Sequence, residues 1–335
     1  MKKSRYLVIM VLLLVSIVAA QCAPAATVPE EAAKTYKLAA IFPGVITDAD
    51  YNTLAYVGVT ELQEKTGIET KYSESVAVPD VDRVMREYID GGFNIIWTHG
   101  GQFVNQTVEL APQFPDVIFI AEGDAPLENP PANLWFIDRN FHVGFYGIGA
   151  LAARATKTGK IGYIGGVTLP FSYAEAHAIQ QAVDDSGLDV EFVAVWAGDL
   201  NDPTKGRQVA DALIAEGCDV LMGALNLGMF GVFEAVKAAP DKVLVTVKYT
   251  DKKEYAPDNY ATSLLYDFAG PLADIYEKIL AGETGGYYPL GFDTGVALQS
   301  PITNVDPAVV TDVEAVLADL VAGKIEVVKD ISEFK

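Results

Sequence analysis

Six short loops of this 335-residue chain carry side chains suited to gripping a small flat solute, and none of them pairs a nucleophile with a base. In Gly44-Val-Ile-Thr47-Asp48-Ala-Asp50-Tyr51-Asn52, Asp48 and Asn52 can accept and donate at a helix start, and Tyr51 offers a flat face. Asp48 or Asp50 would equally serve there as a plain helix cap. In Thr98-His99-Gly100-Gly101-Gln102-Phe103, two glycines let backbone amides approach a ligand. Four further loops share this polar and aromatic character: Gly165-Gly166-Val-Thr-Leu-Pro170-Phe171, Trp196-Ala-Gly198-Asp199, Leu225-Asn226-Leu-Gly228 and Lys248-Tyr249-Thr250-Asp251. Aromatic faces with Asn and Asp at their edges are the chemistry for holding a planar heterocycle.

Other chemistries fail on context. His99-Gly100-Gly101 is similar to the oxyanion loop of esterases, but the chain has no Gly-x-Ser-x-Gly elbow to supply a nucleophile. Gly147-x-Gly149-x-x-Ala152 is half a dinucleotide fingerprint, yet it lies inside an apolar helical run, where small residues serve close helix packing. Gly159-Lys160 lacks the upstream glycine of a phosphate loop, and Glu122 with Asp124 offers no argument for hydrolase spacing. Two Cys and three His leave little for a disulfide framework or a metal cluster, so no cofactor is expected. Cys218 precedes the apolar Val220-Leu221-Met222 and reads as a buried structural thiol. A net charge of -21 provides no basic surface for nucleic acid, while a 50% hydrophobic composition excludes a disordered acidic tail.

The amino terminus reads as an address. Lys2, Lys3 and Arg5 precede an apolar run from Leu7 to Ala20, which is short for a membrane span, and Ala19-Ala20-Gln21-Cys22 closes it. Residues 1–21 are therefore expected to be a signal peptide. Cys22 would become a lipidated amino terminus, although Gln21 departs from the usual small residue; a plain signal with Cys22 incidental is the alternative. Residues 22–35, rich in Ala, Pro and Glu, read as a tether. Removing residues 1–21 leaves 21 basic and 45 acidic side chains, a net charge of -24.

The loops must be positioned by the elements between them. From Lys37, short apolar runs alternate with helical stretches: strands at 38–42, 68–72, 94–98, 117–121 and 134–138, with helices at 51–65, 79–89 and 102–113. After Asn129-Pro130-Pro131 the rhythm restarts with an apolar helix at 141–155. Strands follow at 161–164, 190–196, 220–222, 243–247 and 260–265. Helices are expected at 173–184, 203–216, 229–238, 268–281 and 307–320. Continuous apolar strands between helices predict parallel sheets covered on both faces, in two α/β lobes of comparable size. Ligands of such folds sit beyond the carboxyl ends of the strands.

Taken in order, several segments resemble the basic membrane protein and purine nucleoside receptor group of solute-binding lipoproteins. They are Asp48-Ala-Asp-Tyr51-Asn52, Gly92-Phe-Asn-Ile-Ile with His99-Gly100 and Phe114-Pro115-Asp116-Val117, Thr158-Gly-Lys160-Ile-Gly162-Tyr-Ile-Gly-Gly166, Asp202-Pro203, Gly217-Cys-Asp219-Val220 and Thr262-Ser263. The resemblance implies a two-lobed type I periplasmic-binding-protein-like fold, each lobe a mostly parallel sheet flanked by helices. It also implies closure on a small solute, a purine nucleoside or purine base, and docking on an ABC permease. The protein would face the extracytoplasmic side, held to the cell membrane by its lipid. By the same resemblance Tyr51 stands where an aromatic stacks on the base, with Asp48 and Asn52 close by.

This chain departs from the pattern at Leu200, where a second aromatic is expected and for which Trp196 would substitute. It departs again at Tyr249, with Asp251 two residues on, and at Tyr266 where a lysine is expected. The expected contact set is Asp48, Tyr51, Asn52, His99, Gly100, Gly101, Gln102, Phe171, Trp196, Asn226, Gly228, Tyr249, Asp251 and Tyr266. The expected lobes are 36–138 plus about 266–285, and 139–265 plus about 286–335. A sensory receptor on the same fold, or a secreted nucleoside or ester hydrolase, are the alternative readings.

Overall fold

The computed structural model describes residues 35–335; the expected signal segment, Cys22 and all but the last residue of the expected tether lie outside the described residues. Strands β1 (Lys37–Ile41), β2 (Glu69–Ser73), β3 (Ile95–Thr98), β4 (Ile118–Gly123) and β5 (Leu134–Asp138) alternate with helices α1 (Tyr51–Thr66), α2 (Val81–Asp90) and α3 (Val104–Leu110). The second series runs α4 (Phe141–Ala155), β6 (Lys160–Gly165), α5 (Pro170–Ser186), β7 (Glu191–Trp196), α6 (Pro203–Ala215), β8 (Val220–Ala224), α7 (Met229–Ala238), β9 (Leu244–Tyr249) and β10 (Tyr260–Tyr266). The chain ends with α8 (Ala269–Leu280), β11 (Gly286–Pro289), β12 (Val296–Leu298) and α9 (Pro307–Val321).

Two six-stranded sheets result, β11-β5-β4-β3-β1-β2 and β12-β10-β9-β8-β6-β7. All neighbours run parallel except β10 and β12. The central strands β3, β4, β5, β8 and β9 are buried at every position, which is why they read as mostly apolar runs rather than alternating ones. Helix ends follow local chemistry. The Asp202 carboxylate accepts the amides of Thr204 at 2.8 Å and Lys205 at 3.3 Å to start α6, and α1 stops at Gly67 with φ 74°. The glycines of α4 let it pack tightly on α5: a Cβ on Gly149 would stand 2.9 Å from the Ile179 Cα.

The chain passes between the lobes three times, after β5, after β10 and after β11. α8 returns to pack on α1, and β11 then pairs with β5, Gly286 opposite Trp135. Residues 286–289 thus sit in the first sheet, not in the second lobe as expected, and the last passage follows Pro289. The sequence reading missed β11 because it is a short, exposed edge strand with Gly at one end and Pro at the other. Beyond α9 the chain runs over α5, where Gln181 Nε2 donates to the Glu326 carbonyl at 2.9 Å. There Lys329 Nζ pairs at 2.7 Å with Asp138, at the end of β5.

Candidate functional site

Loops at the carboxyl ends of strands in both sheets enclose a cavity of about 570 Å³. This is within the size range of small-molecule sites. The first lobe contributes Pro43, Gly44, Tyr51, Asn52, Val78, Gly101, Gln102 and Asp124. Arg139 and Phe141 enter from the first passage between lobes. The second lobe contributes Leu169, Pro170, Phe171, Leu200, Asn201, Ala224, Asn226, Lys248 and Tyr249.

On the first-lobe side the organising group is Glu122, fully buried at the end of β4. It accepts hydrogen bonds from the Tyr51 hydroxyl at 2.8 Å and Trp97 Nε1 at 2.9 Å, and its Oε1 lies 2.7 Å from His99 Nδ1. His99 Nε2 lies 3.1 Å from the Tyr51 carbonyl oxygen, and the two rings stack with centroids 3.8 Å apart. Arg139 Nη1 donates to the Tyr51 hydroxyl at 3.1 Å while Nη2 reaches both Asp124 oxygens at 2.5 Å. Asp48 accepts the backbone amides of Asp50, Asn52 and Thr53 at 3.0–3.1 Å and the Asn52 side chain at 2.7 Å. It thereby satisfies free amides in the first turn of α1, whose N-cap is Asp50.

On the second-lobe side Lys248 is paired with Glu175 at 2.5 Å, and Glu175 also accepts the Tyr163 hydroxyl at 2.6 Å. All three are buried. Burial pushes the Glu175 carboxyl up and the Lys248 ammonium down, each opposed by its partner. The Lys248 Nζ stands 3.5 Å from the Phe141 ring centroid. Tyr249 follows with φ 80°, a left-handed conformation that a bulky residue adopts only where its surroundings impose it.

The lobes are also joined directly. Asp50, at the start of α1, accepts from Lys252 Nζ and, at 3.1 Å, from the Thr250 hydroxyl, both in the loop after β9. Asp50 is fully buried, and among the described residues its Oδ2 has no hydrogen-bond partner. Burial pushes its carboxyl up to about 7, although Lys252 and Thr250 act to lower it.

Of the expected contact set, Tyr51, Asn52, Gly101, Gln102, Phe171, Asn226 and Tyr249 border the cavity. Asp48, His99, Gly100, Trp196, Gly228, Asp251 and Tyr266 do not. Asp48 bonds the first-turn amides of α1, His99 is enclosed behind Tyr51, and Gly100 serves the turn with φ 129°. Trp196 donates to the Ser172 hydroxyl at 2.9 Å and packs on Tyr173, so it is no substitute for an aromatic at Leu200, which itself borders the cavity. Gly228 packs its backbone against Leu200, Asp251 accepts from Gln299, and the Tyr266 hydroxyl donates to the Phe141 carbonyl at 3.4 Å. Sequence reasoning missed Asp124, Arg139, Phe141 and Lys248 as lining residues. A cation closing the otherwise apolar Val-Thr-Val-Lys strand, and another right after β5, were the available signals. Among the described residues no group of three or more His, Cys, Asp or Glu side chains could hold a metal ion. Cys218 is a buried free thiol, pushed up to about 11 by burial.

A family model described as ABC transporter substrate-binding protein PnrA-like matches residues 35–329. Basic membrane protein A2 of Borrelia garinii subsp. bavariensis is 27% identical over 267 residues, covering 78% of each chain. A purine-binding protein of Brucella abortus is 27% identical over 251 residues, covering 73% of this chain and 69% of that one. Among solved structures, an ABC transporter solute-binding protein from Conexibacter woesei superposes with a TM-score of 0.72 at 23% identity, covering 89% of this chain and 100% of that one. One from Aeropyrum pernix K1 gives 0.74 at 20% identity, covering 88% and 93%.

Proposed function

Because the chain belongs to the PnrA-like family of ABC transporter substrate-binding proteins, we propose that it captures a small planar solute between its lobes and delivers it to an ABC permease. The favoured solute is a purine nucleoside or purine base. The observation carrying this reading is the aromatic enclosure: Tyr51, Phe141, Phe171 and Tyr249, drawn from both lobes, border one cavity at the strand ends. Flat apolar faces around a few polar groups suit a heterocycle. The relative named purine-binding supports the same class. Tyr51, Asn52, Gly101, Gln102, Phe171, Asn226 and Tyr249, with Arg139, Phe141 and Lys248, form the proposed contact set. Capture needs no covalent step, and the buried Glu122 is occupied in holding Tyr51, Trp97 and His99. Cys22, lipidated, would anchor the protein on the extracytoplasmic face. Native mass spectrometry of the purified protein tests the solute class: a co-purifying purine or nucleoside is expected, and a co-purifying sugar would contradict it.

Solute stabilises the closed arrangement by binding it better than the open one. Asp50 makes that step sensitive to pH. Opening would separate it from Lys252 and Thr250 and return its carboxyl toward the ordinary 3.8, whereas the closed value is about 7. Between those values the closed form holds a proton that the open form lacks. Closure is therefore favoured by acid and loses that advantage as pH rises through 7. The charged and titratable neighbours are Asp48 beside it and Lys252 and Tyr249 opposite. Calorimetry near pH 6 in buffers of different ionisation heat should show proton uptake on binding, abolished by Asp50→Asn. Proton release, or affinity that falls on acidification, would contradict it.

A further inference from the structure

The polar side chains of the cavity wall divide sharply into those already committed and those left open. Both cations are paired inside the protein, Arg139 with Asp124 and Lys248 with Glu175. The Asn52 amide is held by Asp48 and by the Gly44 backbone amide. Gln102, Asn201, Asn226 and Tyr249 make no side-chain hydrogen bond within the described residues, but Gln102 and Asn201 are exposed, whereas Asn226 and Tyr249 are each only 8% exposed.

Their positions are nevertheless fixed. The Asn226 amide nitrogen donates to the Leu200 carbonyl at 2.9 Å and its carbonyl accepts from Met229 at 3.0 Å, so its backbone is locked while its carboxamide is free. The Tyr249 ring sits against Tyr51, Phe141 and Tyr266 at centroid distances of 5.7–6.0 Å, leaving only its hydroxyl unengaged. Their polar atoms open onto the cavity rather than into the protein interior. Two held side chains that offer unspent donors and acceptors to one cavity mark where a bound molecule can bond in place of water.

Resting on the reading of a planar solute, we propose that Asn226 and Tyr249 are the specificity-determining residues of this cleft and that it is built for an uncharged solute. A carboxamide and a phenol each donate and accept, so they match an edge that presents both kinds of group, as a purine base or a ribose does. A phosphate would find both lining cations, Arg139 and Lys248, already paired with carboxylates. It would have to displace Asp124 or Glu175 from its partner or lie beside it, and like charges brought together oppose binding.

Titration calorimetry with inosine and inosine 5′-monophosphate tests this on the wild type and on Asn226→Ala and Tyr249→Phe. The wild type is expected to bind inosine at least about a hundredfold tighter than the monophosphate. Each variant should weaken inosine by about tenfold or more with its thermal midpoint unchanged, since the open partner is then lost from a buried edge. Tyr249→Phe alters one hydroxyl only and keeps the ring packing. Monophosphate bound as tightly as inosine, or wild-type affinity in either variant, overturns the assignment while leaving the purine reading intact. A wild type that binds neither inosine nor hypoxanthine overturns both.

Discussion

Replacing Lys248 by Met should lower the stability of the protein by about 3–5 kcal/mol, the cost of leaving a buried carboxylate without its cation. Lys248 and Glu175 are paired at 2.5 Å with side chains 1% and 0% exposed. Tyr163 would remain as the partner of Glu175, but one hydroxyl does not balance a charge. The lost cation also lay 3.5 Å from the Phe141 ring centroid, so the variant removes an attraction to the aromatic wall as well. Urea unfolding checks the result, and the double variant Lys248→Met with Glu175→Leu should recover most of the loss, because well-packed apolar pairs replace buried ion pairs at little cost. An unchanged midpoint in the single variant would show that the pair contributes nothing.

The second large effect concerns closure. Lys252→Met should weaken inosine binding at about pH 8 by roughly thirtyfold or more, corresponding to about 2–5 kcal/mol for truncating one partner of a buried charge pair between two surfaces. Asp50 and Lys252 belong to different lobes and are both buried. Without Lys252, closing would bury the Asp50 carboxylate against Thr250 alone. Folding should be spared, because each lobe keeps its own core and the cost falls on the closed form. Asp50→Asn added to Lys252→Met should restore much of the affinity. Wild-type affinity in Lys252→Met would mean that closure does not depend on this bridge.

The parts of this molecule that the sequence made legible are those governed by local pattern. The buried strand Ile95–Thr98, the helix Phe141–Ala155 and the Asp202-Pro203 start of α6 depend on residues close together in the chain. The Gly147 and Gly149 positions could be assigned to helix packing because their context was helical. What was not legible depends on distant partners. The sequence presents Tyr51 as a stacking face, yet its hydroxyl meets Glu122, 71 residues on, and Arg139, 88 residues on. Lys248 finds Glu175 across 73 residues, and Lys252 finds Asp50 across 202. No spacing rule encodes such pairs. His99 and Trp196 carry the right chemistry for a ligand site, but the fold places them one layer behind it, where they support Tyr51 and Ser172. β11 was missed for another reason: an exposed parallel edge strand buries too little to show a hydrophobic signature.

The cavity between the lobes is expected to hold a planar heterocycle. Titration of the purified chain with inosine, hypoxanthine and ribose in parallel tests it most directly. The expected result is sub-micromolar binding of at least one heterocycle, about -8 kcal/mol or stronger, with ribose alone weak. Tight binding of ribose with no heat from either heterocycle would contradict it.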